Sequence, residues 1–357
     1  MLVQDLLIIL GFTFCAIIFS VITNSLLLKF SHNLGIRNTN DVLIRWSNQS
    51  KPSLGGISFF AVFVFSAVAY SILFSSEGIF DNNQYVGLFV AGCLAFAMGL
   101  ADDAYNTKPL PKLAAQISCG LLLFFTGSSI ELSGVYWLDG IITVIWVVGV
   151  MNSLNMLDNM DGITGTTVLF ILASCLASSF ILFNASIDIW TITLFCVIGA
   201  IIGFLFFNLH PAKMYMGDTG SQFLALIVAF FGIKFLWNTL PDSSSSAWAT
   251  GLLTLTVFTP AAADTLTVVI NRLRKGKSPM VGGKDHTTHH MVYAGFNDRQ
   301  VWWGFTFFGL FSFLMAIAML YLINDRNSSF LWLFGVYFLV VFGYLYRNTI
   351  KFPERKK

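Results

Sequence analysis

The chain has 357 residues, of which 56% are hydrophobic and only 11% charged, with a mean hydropathy of +0.75. Soluble domains carry about 25% charged residues, so a water-soluble single core is excluded. A formal net charge of +2 argues against an overall nucleic-acid-binding surface and leaves room for local basic patches.

Apolar stretches of span length recur along nearly the whole chain, which predicts an all-α polytopic membrane protein forming a single domain over 1–357. Eleven candidate spans are predicted, at about 5–30, 54–75, 85–101, 113–128, 141–157, 163–183, 188–208, 221–240, 247–271, 301–323 and 329–346. The first apolar run, Leu6 to Leu28, follows Asp5 and no positively charged segment, so it reads as a retained span rather than a cleaved signal peptide. Cys15, Cys93, Cys119, Cys175 and Cys196 all lie inside apolar stretches without paired spacing and read as packing residues.

With the N-terminus outside, every basic residue falls in an inside segment except Arg326 and Lys234, out of 20. The positive-inside rule then predicts a cytoplasmic C-terminus. Single acids are scattered over the outer loops, whereas the inner ones group them: Asp102 with Asp103, Asp158 with Asp161, and Asp218 between Gly217 and Gly220. Function is therefore expected on the cytoplasmic face, with the loop at about 272–300 alone large enough to cover a site.

Asp102-Asp103, followed by Lys108 and Lys112, ends the third span and opens the fourth. Adjacent carboxylates near hydrocarbon need a counter-charge or a divalent ion, and Mg²⁺ takes few protein carboxylates together with substrate phosphates. A solvated turn that stops the span is the alternative. Next, Asn152, Asn155 and Asn159 are spaced by three and four, and Asp158 and Asp161 by three, so they share a polar stripe on a helix end that Gly162 can terminate. Burying that stripe beside Trp146, Val147 and Val148 requires a polar ligand, water or a partner helix.

Met216-Gly217-Asp218-Thr219-Gly220-Ser221 opens the eighth span, where Thr219 or Ser221 can cap the helix and its N-terminus favours phosphate. A plain helix start capped by Asp218 is the alternative. Asp264, inside the ninth span, is expected to pair with Asn271, Arg272 or the substrate. In the basic loop that follows, Lys284, Asp285, His286, His289 and His290 gather three of the five histidines. They could hold a diphosphate anion, or zinc through His286, His289, His290 and Asp285. Lys234 reads as snorkelling outward, His32 as interfacial, and His210, before Pro211, as a minor candidate.

From Lys51-Pro52-Ser53-Leu54-Gly55-Gly56 to about Arg299, this ordered set resembles the bacterial polyprenyl-phosphate N-acetylhexosamine-1-phosphate transferases, the family that includes phospho-N-acetylmuramoyl-pentapeptide transferase. Asp102 and Asp103 match its aspartate pair, Lys112 and Gln116 the polar positions after it, Asn152 to Gly162 its Asn-rich motif, and Gly217 to Ser221 its Gly-Asp-x-Gly-Ser motif. The histidine loop departs from the family patterns by reading Asp-His-Thr-Thr-His-His. Eleven spans with an inside tail are similar to the N-acetylglucosamine branch rather than the ten-span muramoyl branch.

The resemblance implies transfer of a sugar 1-phosphate, N-acetylglucosamine 1-phosphate or a related N-acetylhexosamine, from a UDP-sugar to undecaprenyl phosphate with release of UMP. This would be the first membrane step of an envelope polysaccharide such as O-antigen lipopolysaccharide, in the bacterial cytoplasmic (inner) membrane. It further implies Mg²⁺, with Mn²⁺ as a substitute, held by Asp218 with Asp103, Asp102 or Asp158. Asp102 would alternatively deprotonate or orient the lipid phosphate, or form a covalent aspartyl-phosphate. Asn155 and Asp158 or Asp161 would bind the nucleotide side, with Asn152 a further substrate contact, Lys112 would meet the lipid phosphate, and His286, His289 and the loop cations the diphosphate. Expected partners are the UDP-sugar, the lipid and the membrane, with a homodimer as the candidate assembly and no nucleic acid. The rival readings are the muramoyl-pentapeptide reaction and a multi-span transporter, which would instead place polar groups at the bilayer midplane in pseudo-symmetric halves.

Overall fold

The computed structural model describes residues 3–31, 51–74, 79–183, 187–239, 247–279, 283–325 and 330–353, all helices and connections without a strand. His32, Arg37, Arg45, Arg326 and the basic tail residues Arg355, Lys356 and Lys357 lie outside the described residues. In chain order the helices are α1 (Val3–Phe30), α2 (Gly55–Leu73), α3 (Asn83–Tyr105), α4 (Pro109–Phe125), α5 (Tyr136–Leu157), α6 (Ile163–Leu182) and α7 (Ile189–Asn208). There follow α8 (Gly217–Gly232), extended by a π turn at Ile233–Trp237, then α9 (Ala247–Val257), α10 (Thr259–Arg274), α11 (Thr287–Tyr293), α12 (Asp298–Asn324) and α13 (Trp332–Lys351).

Each of the eleven expected spans is helical, but not all are straight crossings. Among the described residues nine helices are long and apolar enough to cross a membrane, or up to ten if α9 and α10 count as one broken span. These two meet at 83° around Phe258. The cause is local: Pro260, in the first turn of α10, offers no N–H to the preceding turn and its ring would collide with a continuing helix. The expected fourth span is the 17-residue α4, which at about 1.5 Å per residue is shorter than a hydrocarbon core.

The bundle is organised around α8. From Thr219 to Gly232 every residue of this helix is buried, and its neighbours include α2, α3, α5 and α6. Two glycines allow that proximity: a Cβ on Gly56 of α2 would lie 2.2 Å from Gly220 N, and one on Gly99 of α3 would lie 2.4 Å from the Asp218 carbonyl oxygen. Away from the motif ends, Lys234 in the π turn lies 4.4 Å from the centre of the Trp190 ring and donates to Gln84 Oε1 at 3.3 Å.

Candidate functional site

The ends of α3, α5, α7 and α10 and the starts of α4, α8, α11 and α12 surround a cavity of about 1020 Å³. Asp102, Asp103, Lys112, Asn152, Asn155, Asp158, Asp161, Asp218, His286 and His289 all line it. The residues singled out in separate motifs are thus brought together at one end of the bundle.

Lys112 is the hub. It follows the α4 start, where Pro109 occupies the first turn, and its Nζ donates to Asp218 Oδ2 at 2.9 Å, Asp102 Oδ2 at 3.0 Å and Asn155 Oδ1 at 3.3 Å. Asn155 Nδ2 in turn donates to Asp218 Oδ1 at 2.7 Å and Ser221 Oγ at 2.9 Å. Asp102 is held from its other oxygen by Thr107, through N–H at 2.8 Å and Oγ1 at 2.5 Å. One turn farther along α4, the amides of Gln116 and Asn152 pair at 2.8 Å, and Gln116 Nε2 donates to Gln222 Oε1 at 3.1 Å.

Asp103 points elsewhere. Its carboxylate accepts from Asp218 N–H at 3.1 Å, Thr219 N–H at 2.9 Å and Thr219 Oγ1 at 2.7 Å. The start of α8 was expected to be capped by one of its own side chains and to remain open to phosphate; Met216 is the N-cap without a side-chain cap, and the carboxylate of α3 occupies that end.

The Asn-rich segment divides at Leu157, where α5 ends. Gly162 does not terminate that helix: it precedes α6 at φ +75°. Its N–H donates to Asn208 Oδ1 at 3.0 Å. Half-buried Asp158 lies in the connection, where burial pushes its carboxyl up to about 8, the charges of Asp218 and Asp103 acting in the same direction. Asp161 accepts from Ala212 N–H at 2.9 Å, has His210 Nδ1 at 3.1 Å and lies 3.8 Å from Lys51 Nζ. His210 thereby gains a place on the cavity wall, and Lys51, quoted above only as part of a motif, joins it.

Asp264 was expected to pair with Asn271, Arg272 or substrate. It is fully buried and turned instead to the histidine loop: Thr287 donates to Oδ1 through N–H at 2.9 Å and Oγ1 at 2.5 Å, and His286 Nδ1 lies 3.3 Å from Oδ2. Arg272 grips Asp285 in a two-pronged pair at 2.7 and 2.9 Å, and its third nitrogen donates to the Pro279 carbonyl at 2.8 Å. Burial alone would raise Asp285, but the Arg272 hydrogen bonds and charge more than offset it and hold the carboxyl below its ordinary range. Asn271 donates to Thr349 Oγ1 at 2.8 Å on α13. Thr288 Oγ1 donates to Asn159 Oδ1 at 2.6 Å, fastening α11 to the Asn-rich segment.

The histidines separate. His286 and His289 face the large cavity, and burial, helped by the charges of His286 and His290, pushes the His289 ring down to about 3. His290 does not join them: its Nδ1 lies 2.7 Å from the Phe352 carbonyl at the end of α13, where it lines a smaller cavity of about 280 Å³ with Asp285. Lys284 lines neither cavity; its carbonyl accepts from the Tyr293 hydroxyl at 3.3 Å. Of the expected substrate contacts, Lys284, Asp285, Asp264 and His290 therefore lie behind the cavity wall and support it.

Asp102, Asp103, Asp158 and Asp218 line the cavity together, with Lys112 pairing Asp102 and Asp218, so the centre offers hard oxygen donors of the kind Mg²⁺ takes. No three His, Cys, Asp or Glu side chains among the described residues converge closely enough to hold a metal alone. Such a site suits an ion that completes its shell with substrate oxygens.

Residues 85–236, from α3 through the π turn and so including Asp102 to Asp218, match the family model described as Glycosyl transferase family 4. The chain is 24% identical over 302 residues to the "Probable undecaprenyl-phosphate N-acetylglucosaminyl 1-phosphate transferase" of Bacillus subtilis, covering 82% of this chain and 78% of that protein. It is 28% identical to the "Decaprenyl-phosphate N-acetylglucosaminephosphotransferase" of Mycolicibacterium smegmatis, over 73% of this chain and 71% of that one. It is 27% identical to the "Undecaprenyl-phosphate alpha-N-acetylglucosaminyl 1-phosphate transferase" of Escherichia coli, over 84% and 80% respectively. The region that this family model matches holds the carboxylate and lysine centre of the cavity.

Proposed function

We propose that this protein transfers N-acetylglucosamine 1-phosphate from UDP-N-acetylglucosamine to undecaprenyl phosphate, with release of UMP, at the cytoplasmic face of the bacterial inner membrane. The observation that carries this reading is the bridging of Asp102 and Asp218 by Lys112, inside a 1020 Å³ cavity that also reaches His286 and His289. A phosphoryl-transfer site mainly needs positioned charge, and here both signs are placed within hydrogen-bond distance of one another. The rule that basic residues stay inside supports the orientation.

In the reaction, an oxygen of the lipid phosphate forms a bond to the sugar-proximal phosphorus. The bond from that phosphorus to the bridging diphosphate oxygen breaks, and UMP leaves with the electron pair. Asp218 and Asp158 are the carboxylates that would hold Mg²⁺, which when bound neutralises diphosphate charge and polarises the phosphorus. Lys112 meets the incoming lipid phosphate and keeps Asp102 and Asp218 together. Asp102, fixed by Thr107, orients the attacking phosphate. Asn155 holds Asp218 at the angle the site requires, while His286 and His289 bind the donor diphosphate from the opposite wall.

The test is UMP release by purified protein in detergent with undecaprenyl phosphate, Mg²⁺ and a panel of UDP-N-acetylhexosamines that includes the muramoyl-pentapeptide donor, with and without EDTA. EDTA-sensitive UMP formation with UDP-N-acetylglucosamine is expected. UMP formation with the muramoyl donor alone would reassign the substrate, and silence across the panel would remove the transferase reading.

A further inference from the structure

Asp102 and Asp103 are neighbours in sequence and do different work. Asp102 faces Lys112, whereas both Asp103 oxygens are taken by the first N–H groups of α8 and the Thr219 hydroxyl. The opening N–H groups of any helix lack partners within it, and α8 provides no side-chain cap of its own. A carboxylate placed there satisfies the donors and complements the positive end of the helix dipole.

The approach to α8 is held from the other side as well. Gly55 N–H and Gly56 N–H donate to the Tyr215 and Met216 carbonyls, each at 3.0 Å. Gly217 turns at φ +72°, and a Cβ there would lie 2.5 Å from Asp103 Oδ2, so only glycine leaves room for the carboxylate. Clamped between α2 and α3, the backbone at residue 218 is held where its side chain reaches Lys112 and Asn155.

We propose that Asp103 is a positioning residue: it caps α8 from a different helix, thereby setting Asp218, and is not itself a metal ligand. This rests on the transferase reading for the role of Asp218, but the clamp can be tested without turnover.

Hydrogen exchange of the full-length protein in detergent, without added metal, is compared for wild type, Asp103→Asn and Asp103→Ala. The Asp218 and Thr219 amides are expected to exchange about 10- to 100-fold faster in the variants, as for loss of a charge-assisted hydrogen bond, with the middle of α8 unchanged. Undiminished protection of both amides would overturn the clamp. In the UMP assay, Asp103→Asn is expected to keep the KM for UDP-sugar while its kcat stays low at saturating Mg²⁺; recovery of wild-type kcat by raising Mg²⁺ would make Asp103 a ligand. Thr219→Val, which retains the carboxylate and removes one donor, is expected to lower kcat severalfold at unchanged KM, and a wild-type kcat would count against the clamp. It also serves if the Asp103 variants do not fold. If wild type shows no transfer, the exchange experiment still decides the clamp while the functional reading fails separately.

Discussion

Lys112 Nζ lies 2.9 Å from Asp218 Oδ2, joining a helix start in α4 to a helix start in α8 across the cavity. The same ammonium is 3.0 Å from Asp102, so a single side chain offsets repulsion between two acids drawn from different helices. Lys112→Met is therefore expected to lower turnover by at least about 100-fold, the usual cost of removing one preorganised electrostatic group. The variant should still elute from size exclusion as the wild type does. A turnover within a few-fold of wild type would show that the bridge is dispensable.

Asp218→Asn keeps the shape of the side chain and most of its packing while removing its charge. Its Oδ1 can still accept from Asn155, but the attraction to Lys112 is lost. UMP formation is expected to vanish in protein that remains folded and inserted. The complementary measurement is EDTA treatment of wild type: loss of activity restored by Mg²⁺ supports the carboxylates as a metal site, and full activity in EDTA would remove that role.

Much of this arrangement is legible in the sequence because the bilayer leaves helices few alternatives. Apolar length locates every α-helix of the described residues except the short α11, with α9 and α10 taken as one, and grouped acids identify one end of the bundle. What pattern reading cannot supply is direction around a helix when both neighbours are polar. Nothing in the Asp102-Asp103 dipeptide says that one carboxylate faces Lys112 while the other turns to α8. The same holds for Asp264, whose partner is 23 positions away at Thr287 and not on its own helix. The bend at Phe258 did have a signal, Pro260, but a hydropathy window averages across it. Lys51 and His210 carried little signal of their own, because their common contact, Asp161, between α5 and α6, meets them only when the segments before α2 and after α7 come to it.

Asp264 and His290 provide a test of wall against cavity. Asp264→Asn removes the carboxylate that holds His286 and the start of α11, two groups at once. It is expected to raise the KM for UDP-sugar and lower kcat together, by roughly 10-fold or more. His290→Ala breaks the contact to the Phe352 carbonyl, beside the smaller cavity rather than the large one. Its expected effect is a lower thermal midpoint in detergent with the KM retained. A selective rise in KM for His290→Ala would place that ring in the donor site after all.

His289 links the buried loop to pH. Its ring is pushed down to about 3, first by burial and then by the charges of His286 and His290, with Asp264 and Asp285 acting in the opposite sense. Between that value and the ordinary 6.5 of a free imidazole, the unfolded chain binds a proton at this position and the folded chain does not. Stability from this residue is therefore complete above about pH 6.5 and is lost as the pH falls toward 3, at no more than about 1.4 kcal/mol per pH unit. Thermal midpoints of wild type and His289→Gln are compared in detergent between about pH 7 and 4.5, the window in which a free imidazole gains its proton. The wild-type midpoint should fall more steeply than that of the variant, which has no proton to gain there; parallel declines would mean that His289 titrates as an ordinary, accessible imidazole.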